Sequence, residues 1–541
     1  MSLLDYALKR SASIHFWHSA EDIDTWFAKA ILTRARAISI EIQKHGVSTG
    51  DCVALMLPTS VDLICGILAA WGCRASICII PHSLGESSGK MDSLKMTHIF
   101  ELIKPKLFIH DLDETSIFSE LPTKKFHCRE WQNLPDSENF PDKPQINDVA
   151  IIQLTSGSTA YPKGVILEHS QVDTNIRAIV ARLKTSQQDH TVSWLPFYHD
   201  MGLSSLLISL VGDFPLTLIQ TKYFMRDASV WLRAITQQRA TLTHAPAFAY
   251  ALLSRQKSIL KKYAIDLSSL RYASIGAEPL HSKHLDTFNA VMKPFGLLDC
   301  VLQPSYGLAE SVVAVSFNSG EKPYRCLSVD IDELQKSGHV NIVDETQSNA
   351  ISLVSNGLPL EGIFVSIRLE NGELAKENQQ GFIWISGDSL TKKYVGNVDH
   401  ELFQEGWFNT GDLGFIYEHE IYISGRAKDA IIRSGVTISP AYVEFGIENF
   451  LNLKSGRVVI FSIQNFSKAR EEIVVVIGLQ IPKEEQSELI KKISIYIASE
   501  MGLQINRIQF VSPNQIPRTT SGKVQRNATK QLYLKQEIFE S

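Results

Sequence analysis

The sequence lacks the features by which several large classes of protein are identified. Its 541 residues include 7 cysteines, an odd number, and no two of them form a Cys-x-x-Cys pair. A disulfide framework and a structural zinc site are therefore both disfavoured, and the cysteines indicate a reducing compartment. Because 53 basic side chains stand against 58 acidic ones, the net charge of −5 provides no basic field for nucleic acid or anionic lipid. A small molecule is the expected partner.

A long apolar run is also absent. The most apolar stretch, Leu63–Cys73, has eleven residues, whereas a membrane-spanning helix needs roughly twenty. We expect this stretch to form a buried helix. Residues 1–18 contain Asp5, Lys9 and Arg10 and lack the uninterrupted apolar segment of a secretory signal. The sequence therefore predicts no membrane span, no export and a cytoplasmic location.

Several nucleotide-binding and hydrolase motifs are missing or lack their structural context. No two of the 31 glycines are two positions apart, which removes the dinucleotide fingerprint, and no Walker-type phosphate loop is present. Gly46–Gly50 spells Gly-x-Ser-x-Gly, but a helix is predicted before it and a strand after it, the reverse of a nucleophile elbow. Gly387–Leu390 lies in a strand-rich region, where we expect a turn. Dehydrogenases, Walker-type ATPases and serine hydrolases are therefore disfavoured.

Hydrophobic periodicity divides the chain into three regions. Through the first two thirds, β-branched runs alternate with helical patterns, as in the strand Cys52–Leu57 and the helix Ser60–Trp71, which predicts parallel strands with crossover helices. From residue 350 to 425, glycines punctuate the strands, which favours an antiparallel, barrel-like region. The remainder has the pattern of a compact α+β unit. Its predicted elements are a helix at Tyr442–Leu451, strands at Arg457–Ile463 and Ile473–Ile481, a helix at Glu484–Met501 and a strand at Arg507–Val511.

The predicted fold class is therefore α/β. A large N-terminal domain of parallel α/β layers, with a small barrel-like β region, is expected over residues 1–427. A small α+β C-terminal domain is expected over residues 428–541, joined to the first by a short linker around Arg426–Asp429.

One segment has the chemistry of a phosphate site. A run of hydroxyl and glycine residues follows an apolar strand at 149–154, and Pro162-Lys163-Gly164 comes directly after it. Backbone N–H groups in such a turn form an anion-binding concavity, hydroxyls add donors, and a lysine adds positive charge. The residues predicted to hold a polyphosphate are Thr155, Ser156, Gly157, Ser158, Thr159 and Lys163.

Five further segments follow in a fixed order: Ser274–Pro279, Gln303–Glu310, Trp407–Gly414, Ser424–Asp429 and Pro517–Val524. Together with the phosphate segment they resemble the adenylate-forming superfamily, which comprises acyl- and aryl-CoA ligases, carrier-protein-loading adenylation domains and fatty acyl-AMP ligases. The resemblance extends from about residue 20 to about residue 530. It implies a hinge at Lys428 and a small C-terminal domain that moves about it.

The resemblance also implies a reaction and a set of roles. An acid attacks the α-phosphorus of ATP, pyrophosphate leaves and an acyl-adenylate forms, so ATP and Mg²⁺ are the implied cofactors. Lys523 would hold the carboxylate and phosphate oxygens, and Glu310 would bind Mg²⁺. Tyr306 would stack on adenine, Asp412 would accept from the ribose hydroxyls, and Arg426 would bind the ribose and the neighbouring phosphate. The implied nucleotide site further includes Gly276, Ala277, Glu278, Ser305 and Gly307.

Within the superfamily, two features look closest to fatty acyl-AMP ligases. The segment Trp194–Leu203 matches theirs, and its His199 falls at a position that borders the acyl pocket in relatives. The stretch Cys326–Ala350 resembles the insertion that separates acyl-AMP ligases from CoA ligases by restraining the small domain. Ala245 and Pro246 are expected to line the pocket as well.

Other segments depart from that pattern. Ile432–Pro440 looks more like CoA ligases and amino-acid adenylation domains, and Thr243–Phe248 differs from the usual pocket segment. We therefore expect an atypical acyl-AMP ligase that activates a fatty or related carboxylic acid for transfer to the phosphopantetheine thiol of a separate acyl carrier protein. An acyl- or aryl-CoA ligase and a stand-alone amino-acid adenylating enzyme remain alternatives. A non-catalytic binding protein is disfavoured because the key charged residues are all present.

Overall fold

The computed structural model describes residues 1–82, 84, 90–112, 121–155, 162–277, 280–396, 402–429, 431–433, 436–465, 470–501, 503–519 and 522–535. Its first strands are β1 Ile14–Trp17, β2 Ile23–Trp26, β3 Cys52–Met56, β4 Ser76–Ile79, β5 Leu107–His110, β6 Lys124–His127, β7 Val149–Thr155, β8 Lys163–Glu168, β9 Thr191–Ser193, β10 Leu216–Ile219, β11 Leu242–Pro246, β12 Tyr272–Gly276, β13 Leu302–Tyr306 and β14 Ser316–Phe317. The helices among them are α1 Leu3–Lys9, α2 Ala28–Lys44, α3 Val61–Trp71, α4 Lys90–Ile103, α5 His169–Arg182, α6 Asp200–Gly212, α7 Thr221–Arg226, α8 Ser229–Gln238, α9 Ala247–Ser254, α10 Lys257–Leu260 and α11 Ser282–Met292.

These elements form two large sheets. One has the order β6-β5-β3-β4-β7-β8 and is parallel except for β8, which runs antiparallel to β7. The other has the order β14-β13-β12-β11-β9-β10-β1-β2 and is parallel except at its two edges. The strand Cys52–Met56 and the helix Val61–Trp71 occur as predicted, and the Ser60 hydroxyl accepts the N–H of Leu63 at the start of that helix. The prediction of parallel strands with crossover helices is confirmed.

The third region is antiparallel, as its glycine-punctuated strands predict. After β15 Cys326–Asp330, α12 Ile331–Ser337 and β16 Ala350–Val354 come β17 Ile363–Arg368, β18 Gly381–Gly387, β19 Phe403–Gln404, β20 Trp407–Tyr417 and β21 Glu420–Arg426. The last five pair in the order β17-β18-β20-β19, with β21 also on β20. This half-barrel confirms the predicted barrel-like region, and β18 ends at Gly387, before the expected turn.

The C-terminal region has its own sheet and its own core. Its elements are β22 Ile431–Arg433, β23 Val436–Ile438, α13 Pro440–Phe450, β24 Val458–Asn465, β25 Arg470–Gly478, α14 Lys483–Met501, β26 Arg507–Val511 and α15 Arg526–Leu534. β24 and β25 are antiparallel, and β26 is parallel to β25. β25 begins three residues earlier than predicted because Arg470 pairs with Asn465 across the hairpin, and that partner is not visible in local periodicity. The α+β prediction holds; the boundary at residue 428 stays a prediction.

The described residues contain neither a disulfide nor a helix of membrane-spanning type. All seven cysteines lie in described segments and none is paired in a disulfide. No helix within the described ranges is long and apolar enough to cross a bilayer. The apolar stretch after Ser60 is instead a helix whose side chains are buried in the main core.

A buried aspartate joins the amino ends of three neighbouring strands. Asp189 is 5% exposed and precedes β9, while its partners Thr241 and Arg271 precede β11 and β12. Thr241 Oγ1 donates to Oδ1 at 2.6 Å, and Arg271 donates Nε to Oδ1 at 2.7 Å and Nη2 to Oδ2 at 2.9 Å. The N–H of Ser186 adds a fourth bond at 2.8 Å. This carboxylate therefore holds the strand starts in register.

We expect Asp189→Asn to lower the free energy of unfolding by about 2 kcal/mol at neutral pH. Burial raises the pKa of Asp189, but the hydrogen bonds donated by Arg271, Thr241 and Ser186 together lower it by more, so the pKa lies below its usual value. The stabilisation is thus complete above the unfolded pKa, near 4, and is lost as the pH falls through the lower folded pKa. Chemical denaturation at neutral and acidic pH measures the difference between the two proteins.

The matched control is Asp344→Asn, since Asp344 is an exposed loop residue bonded only to nearby Thr346. Its unfolding midpoint should stay within experimental error of the wild type. Equal effects of the two substitutions would show that the buried aspartate has no special role in the sheet.

Candidate active site

A cavity of about 1510 Å³ lies where the carboxyl ends of β12 and β13 meet the half-barrel and the C-terminal region. Ligands of open α/β sheets bind beyond the carboxyl ends of strands. Most of the residues predicted from the sequence line this cavity. They are Thr155, Lys163, His199, Ala277, Ser305, Tyr306, Gly307, Glu310, Asp412, Arg426, Lys428 and Lys523.

Some predicted residues lie elsewhere. Ala245 is fully buried on the opposite face of β11, in the cluster that packs under α8 and α9, because alternate strand residues face opposite sides. Pro246 ends β11 and caps α9, and it does not line the cavity. Gly276 does not line the cavity either. It packs against β13 so closely that a Cβ at this position would lie 2.7 Å from the Ser305 carbonyl oxygen. Of the remaining predicted residues, Ser156, Gly157, Ser158, Thr159 and Glu278 lie outside the described residues.

An ionic and hydrogen-bonded triad forms one wall of the cavity. Tyr306, at the end of β13, donates its hydroxyl to Asp412 Oδ2 at 2.7 Å, and Arg426 donates Nε to Oδ1 at 3.0 Å. Asp412 is 5% exposed, whereas the Arg426 side chain is 62% exposed. Burial raises the pKa of Asp412, and the Arg426 charge partly offsets that effect. The triad fixes an aromatic ring and presents free guanidinium donors to the cavity.

A second cluster faces the triad. Tyr394 donates its hydroxyl to Glu310 Oε1 at 2.7 Å, and the Lys163 ammonium lies 5.6 Å from the centre of the Tyr394 ring. Burial raises the pKa of Glu310, and the nearby Asp200 carboxylate raises it further. Thr155 and Lys163 are directly paired across β7 and β8, so both flank the segment that connects these strands. The cluster combines a half-buried carboxylate with a cation suited to phosphate.

Lys523 reaches this site from the C-terminal region. Lys523 lines the cavity together with His199 and Asp200, and its positive charge lowers the pKa of both residues. Burial is the larger effect at His199 and brings its pKa to about 3, so the imidazole is neutral at physiological pH. The N–H of Lys523 donates to Thr519 Oγ1 at 3.0 Å. The preceding Gly522 packs on the Phe248 ring of the N-terminal region.

Sequence reasoning missed the role of Asp200. Burial raises its pKa, Lys523 lowers it, and the Met201 N–H donates to Oδ1 at 2.7 Å. The residue directly follows His199 in a segment already singled out, and a carboxylate in an otherwise apolar stretch was the available signal. Tyr394 gave no such signal because its partner Glu310 is 84 positions away.

The C-terminal region contacts the rest of the protein through an aromatic stack. The Phe445 ring of α13 lies parallel to His281, with ring centres 3.8 Å apart and planes 4° apart, and meets His284 edge-on at 5.2 Å. Arg255 Nη2 also donates to the Leu453 carbonyl at 3.1 Å. These contacts hold the region in the position that brings Lys523 into the cavity.

The chain segment between the two regions is held by charge. Arg526 pairs with Asp429, next to Lys428, and also donates Nη2 to Glu444 Oε2 at 2.9 Å. Glu444 in turn accepts the N–H of Ile460 at 2.9 Å. The predicted hinge residue Lys428 lines the cavity beside this network.

The chain is similar to known proteins in both sequence and structure. The profile of the AMP-binding enzyme family matches residues 24–395. The chain is 28% identical over 562 residues to the medium-chain-fatty-acid–[acyl-carrier-protein] ligase JamA of Moorena producens, with 98% of this chain and 93% of that protein covered. It is 30% identical over 562 residues to the 4-hydroxyphenylalkanoate adenylyltransferase of Mycobacterium tuberculosis, with 95% of this chain and 87% of that protein covered. A structure from work on fatty acyl-adenylate ligases of E. coli and L. pneumophila superimposes on this chain with a TM-score of 0.89 at 31% identity. The superposition covers 99% of this chain and 97% of that one.

These matches define an enzyme that forms adenylates. The family profile covers more than half of the chain, and the chain therefore belongs to the AMP-binding enzyme family. Within that family it is an adenylate-forming ligase similar to fatty acyl-AMP ligases. The resemblance identified from the sequence motifs is confirmed, and so is the predicted fold class.

We expect Phe445→Ala to weaken docking of the C-terminal region by about 1 kcal/mol, because the stack with His281 is lost. Fluorescent labels on the two regions would report the change as a larger or more variable separation. The control is Phe450→Ala on the same helix, since Phe450 stacks on Tyr496 within the C-terminal region at 4.4 Å. Equal separations in both variants would exclude the stack as a docking contact.

Docking should also weaken in acid. Burial and the neighbouring His284 lower the pKa of His281 to about 3 in the docked state. A released His281 would regain a pKa near 6.5, so the separated state takes up a proton below that pH and docking is lost as the pH falls. The label separation should therefore increase between pH 7 and pH 5, and less so in His281→Phe. A separation independent of pH in the wild type would contradict this account.

Proposed function

We propose that the protein uses ATP and Mg²⁺ to convert a fatty or related carboxylic acid into an acyl-adenylate and pyrophosphate. The observation that carries the proposal is the entry of Lys523 into the cavity that also holds the Tyr306–Asp412–Arg426 triad. A cation supplied by a separate part of the chain is suited to bridging two anions that repel each other. The relatives support a carboxylic acid substrate, since one is a fatty-acid ligase and another adenylates hydroxyphenylalkanoates.

The residues of the cavity suit the charges of that reaction. As the acid attacks the α-phosphorus, negative charge accumulates on the phosphoryl oxygens and on the departing pyrophosphate. Lys523 would hold the carboxylate against the α-phosphate, and Lys163 would bind the departing phosphates. Tyr306 and Asp412 would hold the adenosine, and Arg426 offers donors to the ribose and the phosphate. The hydrogen-bonded pair of Glu310 and Tyr394 lines the same cavity as these residues.

The residues also fit the magnesium ion that such a reaction uses. Mg²⁺ is bound in phosphoryl-transfer sites by one or two carboxylates together with phosphates and water. Glu310 has one oxygen occupied by Tyr394, and the Asp200 carboxylate is close enough to raise its pKa. Within the described residues, no group of three or more His, Cys, Asp or Glu side chains forms a closed metal site. Glu310, together with phosphate oxygens, would hold the ion. When bound, the positive charge of the ion would offset the negative charge of the pyrophosphate.

The acceptor is proposed to be the phosphopantetheine thiol of a separate acyl carrier protein. The stretch Cys326–Ala350 forms a small unit of β15, α12 and one strand end, whose buried cluster includes Val329, Leu334 and the half-barrel residue Tyr422. Tyr442 of α13, in the C-terminal region, packs against the same cluster. This contact supports the expectation that the insertion restrains the small domain, which would disfavour rearrangement toward free CoA.

A CoA ligase is the second candidate, because the segment Ile432–Pro440 resembles those enzymes. The two functions differ in product. The protein would be incubated with ATP, Mg²⁺ and graded fatty, aryl and amino acids, with CoA or with a phosphopantetheinylated carrier protein, and the products would be identified by mass spectrometry. Acyl-AMP that is consumed by the carrier protein and not by CoA is the expected result. Efficient acyl-CoA formation would overturn the proposed acceptor, and exclusive use of amino acids would overturn the proposed acid.

We expect Lys523→Ala to lower the rate of adenylate formation at least about 100-fold, since the main cation between carboxylate and phosphate is removed. ATP binding, measured by calorimetry, should change little because the triad and Lys163 remain. The matched control is Lys454→Ala, an exposed lysine of the same C-terminal region. Adenylate formation at the normal rate in Lys523→Ala would contradict the role given to this lysine.

A further inference from the structure

The cavity continues past the triad into the space between β11, β12 and the helices α5 and α6. Strand alternation places Leu242 and His244 of β11 on this side of the sheet, together with Tyr272 and Ser274 of β12. On the opposite side, α5 and α6 and the residue after α5 contribute the apolar side chains of Ile179, Leu183 and Ile208, as expected for a channel that takes a hydrocarbon chain. Phe317, in the edge strand β14, adds an aromatic ring on the sheet side.

The sheet side of this channel is polar. His244 Nε2 is 2.7 Å from the Ser205 hydroxyl of α6, and the hydroxyls of Ser274 and Ser305 are 2.8 Å apart. Burial lowers the pKa of His244 to about 4, so the imidazole is neutral at physiological pH. Both pairs are part-buried and line the cavity, so a plain alkyl chain would cover polar groups to which it cannot hydrogen-bond, and that desolvation is costly.

Tyr272 is the deepest polar residue of β12 in this channel. It is 4% exposed, and its ring meets Phe317 edge-on at 5.8 Å. Its hydroxyl lies near the side chain of Ser274 but has no partner in hydrogen-bond geometry within the described residues. The neighbouring Ser274 hydroxyl is bonded to Ser305. By contrast, the hydroxyl of Tyr250, on the other face of the sheet, donates to the Ser274 carbonyl at 2.8 Å. Buried hydroxyls are nearly always paired, so an orphan in a cavity wall indicates a partner on a ligand.

The depth of Tyr272 defines where that partner lies. The nucleotide end of the channel is at Ala277 and Tyr306, just beyond the carboxyl ends of β12 and β13. Tyr272 precedes Gly276 by four residues, which corresponds to about 13 Å along the strand. His244 is paired in register with Ser274 and is therefore about half as deep. The polar side chains thus follow the channel away from the site of adenylation.

We propose that the acid activated by this protein carries an oxygen function, a hydroxyl, keto or phenolic group, along its tail, and that Tyr272 with the Ser205–His244 pair selects it. The inference rests on the proposed function, since it names the class of acid used at the same site. A substrate oxygen at that depth would pair the Tyr272 hydroxyl, whereas an unsubstituted alkyl chain would leave it unpaired. Sites built to hydrogen-bond a polar group reject analogues that lack it much more strongly than apolar pockets distinguish methylenes.

The test compares acids of equal length. Dodecanoic acid would be set against hydroxydodecanoic acids substituted at successive carbons, and phenylbutanoic acid against its para-hydroxy derivative. Adenylate formation would be followed by pyrophosphate release and binding by calorimetry. We expect one oxygenated acid of a pair to exceed its plain partner in kcat/KM by at least about 10-fold, and Tyr272→Phe to remove most of that preference. Ser205→Ala, which changes a different wall, should reduce it as well.

Tyr250→Phe is the matched control, because it removes a buried hydroxyl that does not line the channel. It should leave the preference between the two acids unchanged. Wild-type protein that ranks acids by length alone, or a preference that survives both Tyr272→Phe and Ser205→Ala, would overturn the inference while leaving the proposed function intact. If acids bind without turnover, the ratio of their binding constants decides the question in the same way. If no acid binds or reacts, the proposed function fails and the inference fails with it.

Discussion

The carboxylate of Asp412 is the contact on which the arrangement of the site depends. It lies on β20 of the half-barrel, receives Tyr306 from the end of β13, and receives Arg426 from the end of β21. Two sheets and the start of the segment that leads into the C-terminal region are thereby joined at one buried point. A buried carboxylate is stable only when its oxygens are paired, so the three elements constrain one another. The direction in which the chain leaves β21 is set by this contact.

The C-terminal region is attached in a different way. Its own sheet and helices bury a separate core, and among the described residues its contacts with the rest of the protein include the stack of Phe445 on His281 and the packing of Tyr442 against the half-barrel. The charged network of Arg526, Asp429 and Glu444 lies beside the connecting segment. Such an interface can be made and broken at modest cost compared with a hydrophobic core.

The cavity combines two environments that suit the two halves of an acyl-adenylate. The end near Tyr306 is rich in charge, with Lys163, Glu310 and Lys523 arranged around it. The channel between the sheet and α5 and α6 has one apolar wall and one polar wall, the latter including Tyr272 and His244. Under the proposed function, the charged end would bind the reacting phosphates, and the shape and hydrogen-bonding groups of the channel would select the acid.

The local elements and the family could both be predicted from the residue pattern. Strand β26 begins and ends as predicted, and α3 and α14 differ by only a residue, because hydrophobic periodicity depends on near neighbours. The motif order was enough to identify an adenylate-forming enzyme, since each motif is a short contiguous segment.

The pairs of side chains that meet in the site could not be predicted in this way, because they come from distant parts of the chain. Asp200 beside Lys523, Tyr394 on Glu310 and His281 on Phe445 all join residues at least 84 positions apart, so no local pattern signals them. Ala245 shows the same limit in another form. It lies within a predicted pocket segment, but the pleat of β11 turns it away from the cavity and turns its neighbour His244 toward it. Which face of a strand is functional depends on what packs against it, and that is a property of the folded chain.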